Sequence, residues 1–139
     1  MTIRRLFFFV FLLGLSACAE NNVTPNVPDV LVNEQINLTN IQYNQLRQNN
    51  GFVYIAGGVR GIVIIRTSAT QYIALERNCS YDPQNTCATV EMDPSRFFLV
   101  DTCCNSQFDL FGQVIRGPAT YRLRQYATAT SGNFLYITN

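Results

Sequence analysis

From Val30 to the last residue, Asn139, the chain is cut into short runs of β-branched and aromatic residues by Gly, Pro, Asn, Asp and Ser, and this rhythm restricts the fold more than any other feature. Runs this short do not make long helices, whereas apolar residues in such runs suit strands with at least one buried face. The clearest are Phe52–Ile55, Ile62–Arg66 and Tyr72–Glu76. Further strands are expected at residues 88–92, 97–100 and 121–125, and at Val114–Arg116 and Phe134–Thr138. An irregular opening strand is expected where Val30, Val32 and Glu34 alternate with Leu31, Asn33 and Gln35 ahead of Ile36 and Leu38. Ile41–Arg47 predicts a helical turn or two, with Ile41, Tyr43 and Leu46 roughly on one face. Turn signals at residues 67–70, at Asp82-Pro83, Asp93-Pro94 and Gly112, and at Ser131-Gly132-Asn133 separate the runs. Many short strands at such spacing predict an all-β sandwich or small barrel.

Gly57-Gly58-Val59-Arg60-Gly61 invites comparison with a phosphate-binding loop. Such a loop needs a helix N-terminus after it, and the residues that follow, Ile62-Val63-Ile64-Ile65, read as strand. The Gly-rich link is therefore expected to join two paired strands.

At the N-terminus, Arg4 and Arg5 precede an apolar run over residues 6–13, too short to span a bilayer and laid out like a secretory signal. The run ends at Leu15-Ser16-Ala17-Cys18, which resembles the lipobox of bacterial lipoproteins. That resemblance implies cleavage after Ala17 and acylation of Cys18. Several acyl chains anchor stably, since each buried methylene contributes roughly 0.8 kcal/mol. The competing reading is an ordinary signal peptide, with Cys18 merely next in line. The expected organisation is a signal peptide over residues 1–17, a lipid-anchored tether rich in Asn, Pro and Thr over 18–29, and one β domain over 30–139. The expected location is the bacterial cell envelope, on its periplasmic or surface side. Two of the ten basic residues leave with the signal, so eight arginines face nine acidic residues. A formal charge of −1 gives no field that would gather nucleic acid.

Cys79, Cys87, Cys103 and Cys104 remain, an even number in an exported domain, and disulfides are expected. The spacing C-x7-C-x15-C-C does not suit an all-cysteine metal site, which pairs cysteines two or more residues apart. Neighbouring side chains in an extended segment point to opposite sides, so Cys103 and Cys104 are not expected to share one metal. No metal site is expected. Four cysteines allow three pairings, and a vicinal Cys103–Cys104 bond would strain the peptide between them.

Residues 101–126, DTCCNSQFDLFGQVIRGPATYRLRQY, resemble the second metal loop of Rieske iron–sulfur domains, a C-x-C-H-G-S-x-F-D segment followed by a Gly-bearing turn and G-P-A-x-x-P-L-x-x-Y. Ser106, Phe108, Asp109, Gly112, Gly117, Pro118, Ala119, Leu123 and Tyr126 match it. The ligand positions do not, because the first Cys falls on Asp101 and the His on Cys104. The first Rieske loop, C-x-H, matches at Cys79, with Tyr81 where its His belongs. A Rieske cluster carries two His on one iron, and this chain contains no His. The resemblance implies three antiparallel sheets with a two-loop tip, with Gly117-Pro118-Ala119 packing under the second loop, while Asp109 is expected either to cap a turn or to bond the backbone of that loop. It also implies a Cys87–Cys103 disulfide, after which Cys79–Cys104 would join the loops. The rival pairing is Cys79–Cys103 with Cys87–Cys104.

The remaining acidic residues form no visible acid/base pair, and nucleophilic catalysis lacks its commonest base. The expected function is a non-enzymatic, cluster-free Rieske-like domain on a lipid anchor, its disulfides holding the former cluster loops and its tip contacting an envelope protein or ligand. No cofactor is expected. The alternative is an electron-transfer protein that still carries a 2Fe–2S cluster.

Overall fold

The computed structural model describes residues 27–139. The signal peptide, Cys18 and most of the tether lie outside the described residues. The fold is all-β. Ten strands, β1 (Asn33–Asn37), β2 (Phe52–Ile55), β3 (Ile62–Arg66), β4 (Tyr72–Glu76), β5 (Val90–Met92), β6 (Leu99–Asp101), β7 (Gln107–Phe108), β8 (Val114–Arg116), β9 (Gln125–Ser131) and β10 (Phe134–Thr138), are joined by turns and one 3-10 segment, Ile41–Arg47. They form a six-stranded sheet in the order β1-β10-β9-β4-β3-β2 and a four-stranded sheet in the order β5-β6-β7-β8. All neighbours are antiparallel. Two sheets stand where the resemblance implied three, because Ala74↔Tyr126 and Leu75↔Gln125 join β4 to β9 and fuse the two halves of the base.

β3 explains how the layers are held. Its residues Ile62, Val63, Ile64 and Ile65 are each fully buried, so the strand has no solvent face. Alternation sends Ile62 and Ile64 into one core and Val63 and Ile65 into the other. The first of these cores lies inside the curl of the six-stranded sheet, with Val32, Ile36, Val53, Tyr126, Leu135 and Ile137. The second lies between the sheets, where Ile73 and Leu75 meet Val90, Leu99 and Phe108. Each fully buried Ile contributes roughly 1.5–3 kcal/mol relative to exposure.

The 3-10 segment starts where the Asn40 side chain accepts the Gln42 N–H at 3.3 Å. It buries Leu46, and the Arg66 guanidinium covers its last carbonyls, those of Leu46 and Arg47. Its position is the expected one.

Some strands differ from their expected bounds. The opening strand starts at Asn33, β5 at Val90 and β6 at Leu99. Residues 121–124 are irregular, not strand, and pairing resumes at Gln125. There the chain follows the Gly117-Pro118 turn and docks through Leu123, which is fully buried and donates its N–H to the Gly112 carbonyl at 2.9 Å. The end of the expected tether is also docked: Val27 is 8% exposed, and Arg124 donates to the carbonyls of Val27 at 3.0 Å and Pro28 at 2.9 Å and to Asp29 at 3.1 Å.

Candidate functional site

Two loops meet at one end of the four-stranded sheet. The first, residues 77–89, connects β4 to β5 and is closed at its base by the Asn78↔Thr89 bridge and by the Cys79 N–H bonded to Ala88 O at 3.0 Å. Its tip turns at Asp82-Pro83, where Asn85 N–H reaches Asp82 O at 3.0 Å. Arg60, from the Gly-rich link, clamps this tip by donating to the carbonyls of Asn85 at 2.6 Å and Thr86 at 2.7 Å.

The second loop, residues 102–106, follows β6. Asp101 starts it, its Oδ1 accepting the Cys103 N–H at 2.8 Å while its own N–H reaches Ser106 O at 2.9 Å. The tight return places Asn105 at φ 61, which Asn tolerates better than most residues. Gly117, at φ +107, runs against the loop from below, where a Cβ would come within 2.5 Å of Ser106 Cα. Ala119 donates its N–H to Ser106 Oγ at 3.1 Å. Gly117-Pro118-Ala119 therefore packs under the loop as the sequence suggests. Asp109 closes the next turn, its Oδ1 accepting the N–H groups of Phe111 at 2.9 Å and Gln113 at 2.8 Å.

Cys87 and Cys103 are bonded, with Cα atoms 5.6 Å apart, inside the usual disulfide range. The second expected bond is not formed: Cys79 and Cys104 are free thiols with sulfurs 3.9 Å apart. That distance is a sulfur contact, well beyond the roughly 2.05 Å of a covalent bond. Instead, the Cys104 thiol is held by Asp101 Oδ2 at 3.3 Å and Ser106 Oγ at 3.0 Å. The buried Cys79 thiol resists ionisation. Loss of water raises its pKa most, the Asp101 hydrogen bond and charge and the neighbouring Cys104 add to this, and a backbone hydrogen bond at Tyr81 opposes without prevailing.

Of the four cluster-ligand positions, the structure brings Cys79, Asp101 and Cys104 together, with their donor atoms all within 4.8 Å of one another. Tyr81 is 53% exposed. A Rieske cluster holds the first-loop Cys position on one iron and the second-loop His position on the other. Here those positions are Cys79 and Cys104, whose sulfurs touch, and no imidazole is present. The donor set does not fit a Rieske cluster.

One residue central to the tip escaped the motif reading. Glu76, fully buried, accepts the N–H groups of Val59 at 2.7 Å, Arg60 at 3.0 Å and Asn78 at 2.9 Å and the Tyr126 hydroxyl at 2.7 Å. The Gly-rich link thus does wrap an anion, supplied by the chain's own β4. Gly58, at φ +62, has no room for a Cβ against that carboxylate and the Tyr126 hydroxyl. Strand periodicity carried a signal, since Glu76 follows Ala74 on the face of β4 that enters the curled core. A surface groove of about 410 Å³ elsewhere, along Tyr72, Phe111, Thr128 and Thr130, contains no Cys or carboxylate.

No protein-family model matches the chain, and no curated protein matches it. Among solved structures it is similar to the cyanobacterial plasma membrane Rieske protein PetC3 from Synechocystis PCC 6803, with a TM-score of 0.52 and 25% identity, over 63% of this chain and 85% of that one. Among the described residues no helix is long and apolar enough to cross a membrane. The chain has a Rieske-like fold, with a disulfide-linked pair of loops at the end where a Rieske domain carries its cluster.

Proposed function

We propose that this chain is an exported, lipid-anchored Rieske-like domain that has lost its iron–sulfur cluster and has a non-enzymatic binding or structural role at the cell envelope. The observation that carries this reading is the contact between Cys79 and Cys104, two positions that a cluster would hold apart on different irons. Tyr81 offers a phenol where an imidazole is required, and Asp101 a hard carboxylate where a soft thiolate is required. The Cys87–Cys103 bond keeps the loops joined without a cluster. Acylation at Cys18 supplies the anchor.

Protein produced with ample iron and sulfide is expected to be colourless and to lack stoichiometric iron and acid-labile sulfide. A reddish preparation with about two irons per chain and a Rieske-type paramagnetic signal after reduction overturns the reading. The second reading, electron transfer through a 2Fe–2S cluster, is favoured by the likeness to PetC3, and that outcome would establish it. Mass spectrometry of the native N-terminal peptide tests the anchor. An unmodified Cys18 with the protein in the soluble fraction removes the lipid from the proposal.

A further inference from the structure

We propose that Cys79, Cys104 and Asp101 bind a single borderline-soft divalent cation of the zinc class, so that one ion bridges the two tip loops. The inference rests on the cluster-free reading, because a cluster would occupy Cys79 itself. The geometry is specific. Zinc–thiolate bonds are about 2.3 Å long, and an ion at that distance from two sulfurs 3.9 Å apart subtends an angle of about 116°, close to tetrahedral. For a zinc–oxygen bond of about 2.0 Å, the same geometry puts sulfur and oxygen about 3.5 Å apart. Asp101 Oδ2 lies 3.3 Å from the Cys104 sulfur. Two donor–donor distances thus match a tetrahedral zinc site, the third lies within 4.8 Å, and a fourth corner is left for water or an outside ligand.

The surroundings of the donors point the same way. Asp101 is 1% exposed, and neither ion pair found among the described residues involves it. Its Oδ1 is fixed by the Cys103 N–H, which turns Oδ2 toward the sulfurs. Ser106 is fully buried, and its oxygen is engaged by the Ala119 N–H, so its hydroxyl proton can turn to the Cys104 sulfur 3.0 Å away once that sulfur is a thiolate. Hydrogen bonds of this outer kind orient ligands in metal sites. Meanwhile Cys87–Cys103 removes the adjacent cysteine from competition and fixes the approach of the loops. Binding converts two thiols to thiolates and releases two protons to solvent, leaving a site of net charge −1. The mixed thiolate and carboxylate set excludes magnesium and calcium, which require oxygen donors, as the preferred occupant.

The test uses the full chain, purified from membranes in detergent without chelator, with metal content, free thiols and cobalt substitution all measured. Expected are about one zinc per chain, iron below stoichiometry, and a half-buried Cys104 thiol that alkylates only after chelation. Cobalt(II) in place of zinc should give the absorption of a tetrahedral thiolate complex. Cys104→Ala should abolish binding, and Ser106→Ala should weaken it about tenfold. Because Cys79 is buried and its variants risk misfolding, the half-buried Cys104 is the deciding position, with retained β-sheet circular dichroism and an intact Cys87–Cys103 bond as the control. Three outcomes overturn the site and leave the cluster-free reading standing: two free thiols with no zinc or cobalt taken up, a Cys79–Cys104 disulfide in the isolated protein with no uptake after its reduction, or zinc bound equally by Cys104→Ala. Two irons and two sulfides per chain overturn both.

Discussion

Glu76 and Asp101 are both buried carboxylates, 0% and 1% exposed, yet they are treated in opposite ways. Three backbone N–H groups and a tyrosine hydroxyl surround Glu76. Asp101 receives one backbone N–H, and its other partners are the thiols of Cys104 and Cys79, which are weak donors. Burying a charge is costly unless hydrogen bonds replace the lost water. At Glu76 they do, and the result is a joint that ties the Gly-rich link, the base of the first loop and β9 together. At Asp101 they do so only in part, and what remains is an oxygen and two sulfurs facing one another. Glu76 is thus a carboxylate that supports the fold, whereas Asp101 is buried with its hydrogen-bonding capacity only partly met.

The largest effect is expected from removing the Glu76 joint. Glu76→Leu should cost about 3–5 kcal/mol, because it leaves buried donors unpaired, and should appear as a lower midpoint in guanidinium denaturation. Glu76→Gln, which turns part of the acceptor into a donor facing N–H groups, should cost about 2–3 kcal/mol. A loss well below about 1 kcal/mol for the Gln variant would mean that Glu76 does not support the fold.

Next in size is the covalent link at the tip. The Cys87–Cys103 bond closes a loop with a sequence separation of 16. Opening it, by Cys87→Ser with Cys103→Ser, should cost about 3 kcal/mol, mainly by freeing the unfolded chain. Denaturation of this double variant against the parent measures it directly, and an unchanged midpoint would show that the loops are held by Glu76, Arg60 and the cores alone.

Both predictions concern residues that the sequence revealed unequally. Phe52–Ile55, Ile62–Arg66 and Tyr72–Glu76 were legible because β-branched runs bounded by Gly have few other uses. β9 was displaced because its residues, QYATATS, alternate between Ala and Thr, a pattern with little apolar contrast. β7 has two residues and therefore no period to detect. At the tip, the two loops and the Cys87–Cys103 bond were legible through the Rieske resemblance, not from spacing. That same resemblance suggested a bond between Cys79 and Cys104, and a motif does not encode the Asp101 and Ser106 contacts that hold Cys104 as a thiol beside its neighbour. The Glu76 joint was hidden because its donors come from residues 59, 60, 78 and 126, which meet only once the sheet has formed.

Tyr126 makes the Glu76 joint sensitive to pH. Its hydroxyl donates to Glu76 at 2.7 Å, and burial first, then the Glu76 hydrogen bond and charge, raise its pKa above the ordinary 10.0. The folded phenol stays protonated where the unfolded one ionises, so the unfolded state binds fewer protons and stability falls as pH rises beyond about 10. Tyr126→Phe should cost about 1.5–3 kcal/mol at neutral pH, the range for a hydrogen bond to a charged group. It should also flatten the alkaline fall in the denaturation midpoint. An equal slope in variant and parent would place the alkaline sensitivity elsewhere.

The smallest effect is expected at Asp101, and its smallness is the point. Asp101→Asn keeps a carbonyl oxygen for the Cys103 N–H and removes a charge that no cation among the described residues balances. The lost attraction to two thiols and the relieved desolvation oppose each other, so metal-free protein should change by about 1 kcal/mol or less. Denaturation of chelator-treated Asp101→Asn beside Glu76→Gln, under one set of conditions, makes the contrast quantitative. If the two substitutions cost the same, Asp101 is a second structural joint, its facing sulfurs are part of the packing, and the division between supporting and reactive carboxylates fails. If Asp101→Asn is nearly neutral, burying this carboxylate brings no comparable return in stability. A carboxylate so placed between two thiols is then best explained by the cation that would complete it.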